Sequence, residues 1–561
     1  MLIGIDVGGT YTDGVVFDQG EVIAATKVPT DERNIKASVL QVLDELLTQQ
    51  DKKKVTRIVL STTVVTNLLA TGRGERTALV LIPGYGLSAN AYDISNDSYF
   101  LKGGIDFRGR QIEPLDKIQL QEVGEQIAGA GIKRVAIAGK FSHRNNSLEK
   151  QAADYLQKKY PELDVFLGYK TAGKLNFPRR ATTTYYTALT SREWNCFVDE
   201  IDEALAAREI TCEVHILKAD GGTLPLDLSR KMPCETVFSG PAASTMGALA
   251  LNQDKANAVV VDIGGTTTDI ALIIEGVPLY ASKGASINQR YTHINAFALR
   301  SIALGGDSSI RVDAGQPEVE PVRHDVAACF GGSKPTVTDV FNCIFDLNIG
   351  GDSNLSQAAL DQLSNAAGIK REELCLQVVS IVIGKLRHAI ETMFKEWENE
   401  PAYKVWEVVN KRKFRLDKII GVGAASRAII PQLAQDMGVK PYFHRYSDVA
   451  NALGAAVARP TLTVNLHVDT QARQYHLNPG GVSGQLGSVK NYQLEDAKQM
   501  ACSYLEQIGL ERGMASYIKE SSFFMEEQFN MIRGWNSTGK LFDVGIQVTP
   551  GFVKEYKGVK E

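Results

Sequence analysis

The 561-residue sequence predicts an α/β protein with an internal duplication over its first 460 residues, followed by a small α+β module. Three observations predict it. The phrase Asp6-Val-Gly-Gly-Thr-Tyr-Thr-Asp13 returns as Asp262-Ile-Gly-Gly-Thr-Thr-Thr-Asp269. Strand-like apolar runs alternate with helical spacing around both copies, the pattern of a largely parallel sheet covered by helices. From Pro460 the pattern changes to a strand, a glycine-rich stretch and a helix. The expected division is therefore 1–180 with the first copy, 181–460 with the second, and 461–561 as an appended module.

Each copy is expected to be a hairpin, with strands at 2–5 and 15–17 around the first and at 259–261 and 270–274 around the second. Helical spacing follows at 34–47, and a strand at 57–60 leads to Ser61-Thr-Thr-Val-Val-Thr-Asn67. Strands at 77–82 and 134–138 alternate with helices at 119–128 and 148–158; a strand at 164–168 precedes a helix from about 185 to 208. Residues 214–218 read as a strand entering Ala219-Asp-Gly-Gly222. A long helix covers 371–398, and a strand at 418–421 ends in Gly421-Val-Gly-Ala-Ala-Ser426 before a helix from about 427. In the module, 461–467 reads as strand, 479–487 as loop and 494–510 as helix, with Phe523, Phe524 and Trp535 as a small core.

The repeated phrase has a readable chemistry. Adjacent glycines turn tightly and bring bare N–H groups against an anion. The threonines add hydroxyl donors, so Gly8, Gly9, Thr10 and Thr12 in one copy and Gly264, Gly265, Thr266 and Thr267 in the other are candidate phosphate contacts. Asp6 and Asp262, at the ends of their strands, suit Mg²⁺, which prefers oxygen ligands and keeps much of its water. Asp13 and Asp269 close each phrase as neighbours or orienting groups. One such loop is weak evidence; two with the same six letters, facing across a cleft, would grip a nucleotide's phosphates from both sides. A further pair, Gly305-Gly306 before Asp307, is either a phosphate contact or a helix start. The turn Gly421 to Ser426, with Gly423 and Ala424, opens a helix whose N-terminal amides suit a nucleoside or phosphate. Two helix-compatible segments, 239–248 and 450–458, are rich in Ala and Gly and would let helices cross closely; the second carries Asn451.

Other function classes recede. With 61 basic against 65 acidic residues the net charge is −4, so no nucleic-acid partner is implied. No G-x-x-x-x-G-K-[ST] phrase offers a P-loop, and no apolar run approaches the about eighteen residues of a membrane span. Seven scattered cysteines without C-x-x-C spacing and no leader pattern point to a cytoplasmic chain.

The order of phosphate loop, small-residue helix, second phosphate loop, glycine-rich turn and second small-residue helix resembles the actin, Hsp70 and sugar-kinase superfamily. That resemblance implies two ribonuclease-H-like halves closing on MgATP in an interdomain cleft. Within it, the phrases 6–13, 61–67, Lys218-Ala-Asp-Gly-Gly222, Ser239-Gly-Pro-Ala242, 262–269, Pro335-Thr-Val-Thr-Asp339 and the Asn451 helix resemble the hydantoinase A/oxoprolinase family. The resemblance implies ATP-driven phosphorylation of an amide, lactam or enolate oxygen, followed by hydrolysis or carboxylation. It implies Asp220, Gly221, Gly222 and Arg179 on the substrate side, and a B-type partner subunit or a homo-oligomer. A small-molecule kinase and a nucleotide-dependent switch are the competing readings. This chain departs from the family where many relatives read G-A-G-G-G-S and it reads Ala303-Leu-Gly-Gly-Asp307-Ser308. Cys329 is read as a buried thiol rather than a nucleophile, and His293 and His324 as hydrogen-bonded rather than metal-bound.

Overall fold

The computed structural model describes residues 1–561 other than 32–33, 49, 87–91, 346, 348–350, 401–412, 490, 534–535 and 561. Both hairpins form, and in one register. Leu2–Val7 pairs antiparallel with Tyr11–Asp18 and sets Asp6 opposite Asp13; Ala258–Ile263 pairs with Thr268–Ile274 and sets Asp262 opposite Asp269. The first strand of each hairpin then takes a parallel neighbour, Arg57–Thr62 in one sheet and Lys418–Val422 in the other. A second parallel strand follows in each, Glu213–Leu217 and Lys440–Tyr442. Leu2–Val7 and Arg57–Thr62 are buried along their whole length, as parallel strands covered on both faces must be.

The first sheet runs in the order Thr223–Pro225, Glu213–Leu217, Arg57–Thr62, Leu2–Val7, Tyr11–Asp18, Glu21–Pro29. A separate parallel sheet of Asp164–Leu167, Arg134–Gly139, Thr77–Ile82 and Ser98–Phe100 has its own core with the helices Lys117–Gly129 and Ser147–Lys159. The helix expected from residue 185 begins earlier, as Phe177–Ala206. Asn176 accepts from Arg179 N, and Pro178 falls in the first turn, where no N–H is needed. The hydroxyls of Thr183, Thr184, Thr187 and Thr190 donate to carbonyls four residues back, so a polar stretch satisfies itself inside the protein.

The second sheet is backed by Val337–Phe345, Ser353–Ala367, Arg371–Glu398 and Ser426–Asp436. The C-terminal module is a five-stranded antiparallel sheet with Leu494–Glu511 packed on it. Alternate residues of Leu462–Asp469 are buried, the signature of a one-faced sheet. Part of the expected loop at 479–487 is the strand Val482–Gln485, held by pairing with Gln474–Asn478. Phe523 packs on the module core, whereas Phe524, on the opposite face of its strand, is 48% exposed. Trp535 lies outside the described residues.

Between the two main sheets lie the small-residue helices Ser239–Leu251 and Ala450–Val457, in one core with strands of both. They cross backbone to backbone: a Cβ on Gly454 would stand 2.9 Å from Gly247 Cα, and one on Gly4 would stand 2.7 Å from Ala456 N. Adding one methyl group here has a predictable sign. A helical Gly→Ala change is ordinarily stabilising by up to ~1 kcal/mol, and Gly384→Ala, where a Cβ meets nothing within 4 Å, should behave so. Gly454→Ala should instead destabilise by ~1–3 kcal/mol through overpacking. Urea midpoints of the two variants measure the difference; equal shifts would show that the crossing is not close.

Candidate functional site

In both copies the glycine pair makes the same turn: Gly8 N donates to Tyr11 O, and Gly264 N to Thr267 O, each at 3.0 Å. The two loops meet, since a Cβ on Gly265 would come within 3.3 Å of Thr10 Oγ1. Gly9, Thr266 and Thr267 are exposed and Thr10 is half-buried. Thr12 differs: strand alternation turns it inward, and its hydroxyl meets Thr30 Oγ1 at 2.9 Å. Its counterpart Thr268 donates to Leu304 O at 2.6 Å.

Asn451 ties the two hairpins together. Its Nδ2 donates to Asp6 Oδ2 at 3.3 Å and to Asp262 Oδ2 at 3.2 Å. Ser244 Oγ also donates to Asp262 Oδ2. Asp13 pairs with Lys27 Nζ at 2.7 Å, and among the described residues no other cation lies within ion-pair distance of Asp6, Asp13, Asp262 or Asp269. Asp6 Oδ1 is buried without a hydrogen-bond partner. Burial pushes Asp6 up to about 7, Asp13 and Asp262 adding repulsion against the pull of Ser61 and Asn451. Burial and then repulsion from Asp262 push Asp269 up to about 7 as well. Asp13 and Asp262 are raised chiefly by burial. Such a site is short of positive charge. Its donors are oxygens, one of them orphaned, and among the described residues no three or more His, Cys, Asp or Glu side chains form a ready-made cage. That suits Mg²⁺, which takes one or two carboxylates and keeps several waters.

The third glycine pair stacks on the second loop. Gly306 N donates to Gly264 O at 2.9 Å and Asp307 N to Gly265 O at 2.7 Å. Arg323 spans the loops: its Nε lies 3.3 Å from Asp307 Oδ2, and its Nη1 donates to Thr10 Oγ1 at 3.4 Å. No motif marks this arginine in the sequence; only the fold brings it to the phosphate loops. On the other flank Gly423, at φ +84°, would place a Cβ 2.5 Å from Asp262 Oδ1. Ser426 is buried and donates to Gly423 O at 2.7 Å, and Ala424 is exposed. Gly421 does not share that turn: it lies within Lys418–Val422, packed beneath Phe443 and Ile430.

Two family models match, hydantoinase/oxoprolinase over residues 180–464 and the hydantoinase/oxoprolinase N-terminal region over 2–160. The chain belongs to the hydantoinase/oxoprolinase family. It is 24% identical over 489 residues to the caprolactamase subunit alpha of Pseudomonas jessenii, covering 78% of this chain and 67% of that one. Against an uncharacterized protein of Methanocaldococcus jannaschii it is 24% identical, spanning 70% of this chain and 64% of the other, so it is shorter than these relatives. Its fold is similar to that of acetone carboxylase in the nucleotide-free form, with a TM-score of 0.70 at 16% identity, over 98% of this chain and 87% of that one. It also resembles ATP-dependent caprolactamase from Pseudomonas jessenii, with a TM-score of 0.68 at 19% identity, over 97% and 87%. The α/β architecture with mixed sheets is thus that of these enzymes. No described helix is long and apolar enough to cross a membrane.

The remaining hydantoinase/oxoprolinase phrases have structural duties. Asp339 is fully buried and accepts from the backbone N of Ala328, Cys329 and Thr336 at 2.9 Å and from Ser356 Oγ at 2.6 Å. Thr338 Oγ1 donates to Gly306 O at 2.9 Å, so this phrase holds the third glycine loop in place. Cys329 is buried, and burial together with Asp339 pushes its thiol up to about 11, which keeps it protonated. Asp220 accepts from Lys218 Nζ at 3.1 Å, Thr461 Oγ1 at 2.9 Å and Gly222 N at 3.0 Å. Gly221, at φ +77°, packs on Phe297, and Gly222 on Thr461. Arg179 Nε donates to Thr292 O at 3.1 Å. His324 contacts Glu320, and His293 Nε2 faces Asn176 O at 3.3 Å; burial and the nearby Arg179 and Lys174 hold His293 down at about 3.

The raised carboxylates make stability pH-dependent with a definite sign. Asp6 and Asp269 keep their protons up to about 7 in the folded protein, whereas their ordinary value is 3.8. Between those values the folded state binds more protons than the unfolded, so these groups lower stability as pH rises through that window. The thermal midpoint should fall from pH 5 to pH 8, Asp269→Asn should flatten the fall, and Mg²⁺ should restore stability at pH 8. A wild-type and a variant profile of equal slope would contradict the cluster.

Proposed function

We propose that this chain uses ATP to phosphorylate the carbonyl oxygen of a small cyclic amide, activating it for hydrolysis, as the A-type subunit of a complex. The observation that carries the reading is the meeting of Asp6 and Asp262, from the two hairpins, on one Asn451 amide beside two facing glycine loops. Family membership supports the chemistry, and the relatives named as subunits support a B-type partner, with a homo-oligomer as the other assembly. In this reading 1–180 and 181–460 are ribonuclease-H-like halves of the actin-like ATPase type, and 461–561 is the appended module.

Gly8, Gly9, Thr10, Gly264, Gly265, Thr266 and Thr267 would hold the phosphates, with Gly305 and Gly306 bracing the second loop. Gly423, Ala424 and Ser426 would border the adenosine. Asp6 and Asp262 would hold Mg²⁺, largely through water, and the ion supplies charge neutralisation. Asp13 and Asp269 are neighbours that add negative field. The amide oxygen attacks the γ-phosphorus and ADP leaves. Water adds to the carbon of the resulting imidate phosphate, and the C–N bond breaks with the nitrogen leaving as the protonated amine. The acyl phosphate so formed is hydrolysed to a carboxylate and inorganic phosphate. An amide oxygen is a poor leaving group and a phosphate a good one, so the protein's share is positioning and electrostatics. Arg323, which already touches Thr10 of the first loop, is placed to neutralise charge on the transferring group. Lys218 and Asp220 follow the carboxyl end of Glu213–Leu217, two strands from Leu2–Val7, so roughly 10 Å along the sheet edge. That edge is where open α/β sheets bind ligands.

ATP hydrolysis by the chain with its co-purifying partner, across lactams, hydantoins and ketones, tests the proposal. One cyclic amide should stimulate turnover with free phosphate as product, Asp262→Ala should lower it at least ~10³-fold, and Arg323→Ala ~10²-fold, the scale of losing one charge-stabilising group. A stable phosphate ester as product would instead make it a kinase. Stimulation by ketones alone would move it to carboxylation.

A further inference from the structure

The junction of the C-terminal module with the body of the first sheet forms a half-open cavity of about 90 Å³ that the phosphate site does not use. Residues 170–174, 218–235 and 293–295 contribute one side, and residues 461–465, 478–479 and 512 of the module contribute the other. Four basic side chains line it against two carboxylates, Asp220 and Glu235. Lys218 is already paired with both, at 3.1 Å and 3.7 Å. Lys174 and Arg512 are not: among the described residues no carboxylate lies within 4 Å of either, and Lys174 Nζ reaches only Asn295 Oδ1 at 3.4 Å.

These two cations are half-buried and have no carboxylate partner within ion-pair distance among the described residues. Burial holds Lys174 below its ordinary value, with Arg179 opposing its charge and Glu235 supporting it. Burial lowers Arg512 likewise, and Glu235 again acts against that. Asn478 is 9% exposed and packs on Gly173, its Nδ2 donating to Gly173 O at 2.9 Å. Two half-buried cations without a counter-charge, lining one cavity, favour an anion there.

We propose that this cavity is a binding site for a small carboxylate, held by Lys174 and Arg512. The ammonium offers a point charge and the guanidinium a planar fork that matches a carboxylate. Because the walls come from two parts of the chain, occupancy also clamps the module onto the body of the first sheet. The site stands on its own geometry and does not require the reaction proposed above.

Titration calorimetry with acetate, succinate and glutarate, against chloride and sulfate at equal ionic strength, tests it. At least one carboxylate should bind saturably, with Lys174→Gln and Arg512→Gln each weakening it tenfold or more. Glu235→Gln, which removes the nearby negative charge, should tighten it severalfold, an effect that no folding defect produces. No saturable binding, equal binding of sulfate and chloride, or unchanged affinity in both cation variants would overturn the site. Two sources of the carboxylate are separated by ATP turnover at saturation. A carboxylate belonging to the activated molecule raises turnover with the half-saturation of binding; a separate effector binds without turnover until a second, reacting compound is added.

Discussion

A single carboxamide, Asn451, sits between Asp6 and Asp262, and the rest of the site depends on it. It can reach both only because its helix lies directly on the backbone of Leu2–Val7 at Gly4 and on that of Ser239–Leu251 at Gly247. Close packing of this kind is intolerant of an added methyl group, and it makes the distance between the hairpins a property of the core rather than of loops. The same helix pair carries Ser244 to Asp262 and brings Gly240 to Asp6 Oδ1. Glycine and alanine in these helices thus serve geometry, and geometry serves the carboxylates.

The second constraint is charge. Four aspartates are gathered with Lys27 as, among the described residues, their one close cation. Buried carboxylates that stay near neutral hold protons or wait for a cation. Asp307 adds another carboxylate beside the loops, and Arg323 stands next to it. The pair bridges the first and third glycine loops.

The C-terminal module is fastened to the first sheet by buried polar contacts. Arg57 Nη1 donates to Ala458 O at 2.7 Å and its Nη2 to Thr223 Oγ1 at 2.5 Å, and Thr223 bridges in parallel to Pro460. Thr461 completes the shell of Asp220. One turn, Lys218 to Gly222, therefore serves both the edge of the first sheet and the wall of the cavity, and its glycines are required by Phe297 and Thr461 rather than by a ligand.

The hairpins, their shared register, the parallel strands and the long helix 371–398 were legible in the sequence because each rests on local periodicity or on a repeated phrase. Local signals also misled. A threonine-rich stretch hid the start of Phe177–Ala206, whose hydroxyls bond back along the helix. Thr12 looked like a phosphate donor, yet strand alternation points it inward; Gly421 looked like part of the turn that begins at Gly423, yet it lies beneath Phe443. Asp6 and Asp262 were legible together as Mg²⁺ ligands, but the Asn451 amide between them was not. The chain by itself determined which atoms are available: two glycine loops, their flanking aspartates, and helices small enough to cross. Tertiary structure alone decided that those aspartates share an amide, that Arg323 reaches Thr10, and that Lys174 and Arg512 face one cavity. Such contacts join residues hundreds of positions apart, and no periodicity encodes a distance that only packing sets.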